Sequence, residues 1–146
     1  MLTELVVQDL GVIRHARLLF GPGLSALTGE TGAGKTLLVE AIELLVGGRA
    51  EASLVRSGAA EAIVEGRFID GHEELVLRRV VPADGRSRAY VNGRLATVAE
   101  LGEHGRVLVD LHGQHAHQSL LSGPTQRAAL DRFAAVDLAP LHEARR

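Results

Sequence analysis

The octapeptide Gly29-Glu30-Thr31-Gly32-Ala33-Gly34-Lys35-Thr36 fits the pattern of a phosphate-binding loop: glycine, any four residues, then Gly-Lys-Ser/Thr. Glycines at 29, 32 and 34 allow backbone angles closed to other residues. Successive N–H groups can then converge on phosphate oxygens at the positive end of a following helix. Lys35, the single lysine among 16 Lys+Arg, would reach the β and γ phosphates. Thr36 offers a hydroxyl that can ligate Mg2+. All eight residues are candidate nucleotide ligands; the alternative is a glycine-rich turn with an incidental lysine.

The flanks supply the context this loop needs, strand before and helix after. Upstream, residues 2–9 and 14–20 read as two strands around a turn at Gly11, and residues 24–27 as a short buried third. Downstream, Leu37, Leu38, Ala41, Ile42 and Leu45 recur at helical spacing, Glu40 and Glu43 fall off that stripe, and Gly47-Gly48 marks the stop. Residues 62–68, 75–81 and 88–91 read as strands, the last two joined by the turn Pro82-Ala83-Asp84-Gly85, which implies antiparallel pairing. A short helix over 97–104 capped by Thr97, an apolar strand over 107–111 and a helix over 125–135 complete a unit of residues 1–137. Residues 138–146 begin a further helix that stops without a cap, as in a chain cut from a longer one.

Composition removes several function classes. The 146 residues include no cysteine, which excludes disulfide scaffolds, thiolate metal sites and thiol catalysis and permits a reducing compartment. No apolar run approaches the ~20 residues that span a bilayer, and the start lacks the marks of a signal peptide, so a cytoplasmic protein without a membrane partner is expected. Residues 1–73 carry 10 acidic and 6 basic groups and residues 74–146 carry 8 and 10, so a polyanion would be drawn to the second half. Arg78, Arg79, Arg86, Arg88 and Arg94 against Asp84 give the expected hairpin a net charge of +4, enough for salt-sensitive, sequence-independent contact with DNA. Few aromatic residues argue against stacking on single strands.

Val107-Leu108-Val109-Asp110-Leu111-His112-Gly113-Gln114 is the second informative segment. Asp110, Gly113 and Gln114 match the Asp-x-x-Gly-Gln of GTPases, but the Asn-Lys-x-Asp that reads guanine needs a second lysine and is therefore missing. Asp110 also reads as a magnesium-binding acid at a strand end, weakened by Leu111 where a Glu usually follows. His112, His115 and His117 would need two further ligands to hold zinc, and otherwise shape a polar loop. Gln114, leaving a strand in a chain with a phosphate loop, is the candidate for ligating Mg2+ and positioning water.

Four blocks together carry a resemblance. They are Leu5-Val6-Val7-Gln8-Asp9-Leu10-Gly11-Val12-Ile13, the octapeptide, Gly47-Gly48-Arg49-Ala50, and Val109-Asp110-Leu111-His112-Gly113-Gln114-His115-Ala116-His117-Gln118. Over nearly the whole chain they resemble the RecN family of SMC-like DNA repair proteins. In these, an ABC-type ATPase head is assembled from the two ends of a chain separated by a coiled coil. The resemblance implies an α/β fold, the N-terminal lobe of such a P-loop head with an antiparallel β subdomain, residues 138–146 being the root of the coiled coil. It implies ATP and Mg2+ as cofactors, Lys35 and Gln114 as catalytic residues, and Thr36 and Gln114 as metal ligands. It places Arg49 where such heads often carry an arginine near nucleotide or DNA, a solvated arginine after a helix end being the alternative. The implied partners are the C-terminal lobe, a second head and DNA, in a cytoplasmic, nucleoid-associated setting. The ABC signature, the strand ending in Asp-Glu and the switch histidine have no match here; Leu121-Ser122-Gly123 is followed by Pro124 and is a coincidence. The isolated lobe is therefore expected to be nearly inactive as an ATPase. Two other functions stay open. A helicase with the same loop would need a downstream Asp-Glu-x-His, which none of the 110 residues after Thr36 supplies. A nucleotide-sensing interaction module would bind without hydrolysis.

Overall fold

The computed structural model describes residues 1–30, 34–71, 73–109, 111 and 123–134. The chain divides into two compact units, Met1–Val109 and Asp110–Arg146.

The first unit is built on one six-stranded antiparallel sheet, in the order β2-β1-β3-β4-β5-β6. Its strands are β1 (Leu2–Leu10), β2 (Ile13–Leu19), β3 (Glu61–Asp70), β4 (Glu73–Pro82), β5 (Arg88–Val91) and β6 (Arg94–Ala96). Two helices, α1 (Lys35–Leu45) and α2 (Val98–Leu108), belong to the same unit, and a single 3-10 turn covers Ala52–Leu54. The period-two pattern of the strands decides which face they cover. Leu5 and Val7, Ala62, Val64 and Phe68, Leu77 and Val81, and Ala89 are buried in one cluster with Ala41, Leu44 and Leu45 of α1 and Leu101 of α2. Gly66 interrupts this row in β3 to make room for α1: a Cβ there would sit 2.6 Å from Leu45 Cδ1. The other face carries charges set opposite one another, including Arg17 with Glu4, Arg67 with Glu74, Arg78 with Glu65 and Arg88 with Glu61.

Turn chemistry closes the hairpins. Asn92 and Gly93, with φ of 48° and 75°, form the two-residue β5–β6 turn, and Asn92 Oδ1 accepts a hydrogen bond from Val76 N at 2.8 Å. Thr97 caps α2 as expected, its Oγ1 accepting from Glu100 N at 3.1 Å.

Two expectations need correction. Residues 24–27 form no strand, and Leu24 is 98% exposed: β1 to β6 account for every pairing in the sheet, so the segment has no neighbour to be buried against. The strand expected from 107 onward is helical through Leu108, because Leu101, Gly105 and Leu108 continue one helix face and Val109 N still donates to Gly105 O at 2.9 Å. The antiparallel β part expected in the α/β lobe is the six-stranded sheet, on which α1 packs. In the second unit, α3 (Gly123–Phe133) covers most of the helix expected over 125–135.

Candidate nucleotide site at the start of helix α1

Gly34 is the hinge of the site. It is buried, has φ +90°, and stands as the N-cap of α1 without a side chain to satisfy the first N–H groups. The first turn holds no acidic residue, and the first helical bond runs from Leu38 N to Gly34 O at 3.2 Å. The N–H groups of Lys35, Thr36 and Leu37 are thus left at the positive end of the helix dipole, where an anionic oxygen is the complementary partner. A Cβ at Gly34 would meet Ile13 Cγ1 at 3.3 Å on top of its unfavourable φ, so close approach as well as angle requires glycine.

Lys35 turns back over its own loop, its ammonium donating to Gly29 O at 2.5 Å and Glu30 O at 2.6 Å. The sequence motif therefore closes on itself in space: the lysine that begins the helix binds the two residues that begin the loop. Thr36 is exposed on the first turn. Thr31, Gly32 and Ala33 lie outside the described residues, as do Asp110, Gln114 and His112, His115 and His117. Among the described residues no group of three His, Asp or Glu could hold a metal.

The β1–β2 turn is pressed against this helix start. Asp9, with φ 48°, breaks the alternation of β1 without shifting its register on β2, and Leu10 turns into the core. Gly11 N donates to Leu54 O at 2.7 Å, Arg56 N to Asp9 O at 2.8 Å, and Arg56 Nη1 to Val12 O at 2.9 Å. A Cβ at Gly11 would lie 2.7 Å from Leu37 Cδ1, which sets the spacing between turn and helix. Arg56 is thereby held on the β1–β2 turn that borders the start of α1, and sequence reading missed it. Its only signal is the isolated pairing of Val55 with Leu10, which is a tertiary fact.

Arg49, by contrast, lies exposed after the end of α1 with Glu51 at 3.4 Å. The five hairpin arginines are not brought together. Arg79 is only 2% exposed, Arg78 and Arg88 are paired with Glu65 and Glu61, and Arg86 and Arg94 stand beyond opposite ends of β5. Of the arginines that give the hairpin its positive charge, the alternation of β4 sends Arg79 to the core, and β3 supplies acids for Arg78 and Arg88.

Residues 4–101 match the family model described as an AAA domain. DNA repair protein RecN of Xylella fastidiosa (strain Temecula1) is 40% identical over 150 residues, covering 92% of this chain and 27% of that protein. RecN of Streptomyces coelicolor is 45% identical over 145 residues, covering 88% and 25%. The chain thus spans about a quarter of the length of these curated relatives. A solved structure from work on ATP-driven dimerization and DNA-stimulated activation of SMC ATPases superposes with a TM-score of 0.66 at 24% identity, covering 90% of this chain and 98% of that one. The likeness is one of fold.

Proposed function

This chain belongs to the AAA domain family, and from that premise we propose that it is the ATP-binding half of an SMC-like ATPase head acting in DNA double-strand-break repair and recombination. The observation that carries the reading is the start of α1, where an uncapped helix N-terminus, a glycine that admits no side chain and the one lysine of the chain converge.

Phosphate oxygens would replace the carbonyls of Gly29 and Glu30 as acceptors for Lys35, exchanging neutral oxygens for anionic ones and strengthening the bonds. The N–H groups of the first helical turn would hold the same phosphates in a fixed direction without reorganisation. Thr36 would hold Mg2+ through its hydroxyl, and Gln114 keeps the role that the family resemblance implies, as second metal ligand, positioning the attacking water. Bound Mg2+ supplies charge neutralisation on the β and γ oxygens. Arg56 adds a cation pinned by the Val12 carbonyl. No residue here is given the role of base; in this proposal the acid comes from the rest of the protein.

The partners are a C-terminal lobe of the same head, a second head, and DNA bound without regard to sequence. In support of the first, residues 20–30 carry no strand and leave Leu24 exposed, as apolar positions awaiting a neighbour. In support of the last, the curated relatives are DNA repair proteins.

Mg2+-dependent hydrolysis of ATP and GTP by this chain alone, and then with the remainder of the protein added, is the decisive experiment. Turnover is expected only in the completed protein and only for ATP, falling at least about 100-fold in Lys35→Ala. Lys35-dependent turnover by the chain alone would sink the half-site reading.

A further inference from the structure

We infer that Glu40 of α1 and Arg79 of β4 are the two halves of one ion pair, open in this structure and closed when a phosphate chain seats on the start of α1; this deepens the nucleotide reading above and rests on it. Glu40 falls off the apolar stripe of α1, yet it is half-buried, next to the buried Ala41 and one turn before the buried Leu44. Its Oε2 is shut away from water with no hydrogen-bond partner among the described residues. Helix α1 packs on β1, β3 and β4, and on the core face of β4 the Nε and Nη1 of Arg79 are likewise buried without partners among the described residues. No ion pair within 4.0 Å joins the two side chains.

A buried charged group without a partner is costly, and an apolar side chain in its place loses nothing. Two such groups of opposite sign, left open where one helix meets the sheet, are complementary to each other, and a small movement of α1 over β4 is what would join them. The same helix carries the phosphate site. Lys35 begins it and Glu40 lies five residues on, about 7.5 Å along the axis, so whatever moves the first residue moves the second. In this structure the Lys35 ammonium is spent on Gly29 O and Glu30 O. Phosphate oxygens that take over Lys35 and the N–H groups of the first turn draw on α1 as a rigid body. A ligand shifts such an equilibrium only through contacts that differ between the two positions, and those of α1 with the phosphates are of that kind. Glu40 and Arg79 act through α1 and are positioning residues.

The test is titration calorimetry of this chain with ATP and with inorganic tripolyphosphate, in the presence of Mg2+, for the parent, Glu40→Gln, Arg79→Met and the double variant. Each single variant is expected to weaken both ligands about tenfold, and the double variant no further, because one interaction is lost in all three. Urea midpoints measured without nucleotide should stay at or above that of the parent, since the pair is open there, whereas added ATP should raise the midpoint less in the variants than in the parent. Should Arg79→Met fail to fold, Arg79→Gln takes its place with the same expected losses. Affinity unchanged in Glu40→Gln, or losses that add up in the double variant, would overturn the inference while Lys35→Ala still abolishes binding of both ligands. If Lys35→Ala changes neither, the nucleotide reading itself fails and takes this one with it.

Discussion

Arg79 carries its charge onto the core face of β4, between Leu77 and Val81, and only Nη2 finds an acceptor, Ser87 Oγ at 2.9 Å. Nε and Nη1 are buried without a partner among the described residues, and burial pushes the guanidinium pKa down. A buried cation held by one neutral hydroxyl is a poor substitute for an apolar side chain of similar volume. Arg79→Met is therefore expected to leave stability to urea unchanged or raise it by about 1 kcal/mol. Ser87→Ala, which strips the last acceptor, should lower it by about 1 kcal/mol. A loss of several kcal/mol in the methionine variant would show that the guanidinium is satisfied by groups beyond Ser87. The contrast between Arg79 and Lys35 explains what could be read from the sequence alone. Lys35 is legible because a phosphate loop is local chemistry, fixed by eight consecutive residues. Arg79 reads as one of several surface arginines until the strand register places it opposite Val64 and Ala89.

At the scale of elements, α1 and α2 cross backbone to backbone. A Cβ at Gly105 would lie 2.5 Å from Val46 Cα, and one at Gly47 would lie 2.9 Å from Gly102 Cα. Gly105→Ala, although it raises intrinsic helix propensity, is expected to destabilise the unit by about 1–3 kcal/mol, read as a lowered urea midpoint. Thr97→Ala should cost about 1 kcal/mol through the lost cap at the other end of α2. Gly105 also accounts for the misread strand. Gly105 looks like the end of a helix, and the apolar run after it suits a strand equally well, since a short apolar run alone does not distinguish the two. Only the close crossing reveals that Gly105 is helical. Helix α1, with a full amphipathic stripe, strands β3 and β4, with their long alternation, and the β4–β5 turn were legible from the sequence. Residues 24–27 were not, because a strand needs a neighbour and the sequence of one segment does not name it.

For the first unit as a whole, the solvent face of the sheet is held by a chain of ion pairs, Arg17 to Glu4 to Arg67 to Glu74. The hydrogen bond from Arg17, aided by the charges of Arg17 and Arg67, holds the Glu4 carboxyl below its usual range despite some desolvation. A carboxylate shifted down in the folded state contributes stability that is fully present above its unfolded value, about 4.3, and is lost as pH falls through the lower folded one. Urea stability should therefore fall less steeply below about pH 4 in Glu4→Gln than in the parent, and identical acid limbs would assign the pair no net effect. The strand order has a consequence of another kind. Every pairing joins strands consecutive in sequence except β1 with β3, where Val6 meets Glu65 across the whole loop-and-helix insertion. During synthesis the phosphate loop and α1 leave the ribosome while the strand that must receive β1 is still unmade. The β1–β2 hairpin waits as a detached piece, and the site takes shape only when that longest loop in the sheet is closed.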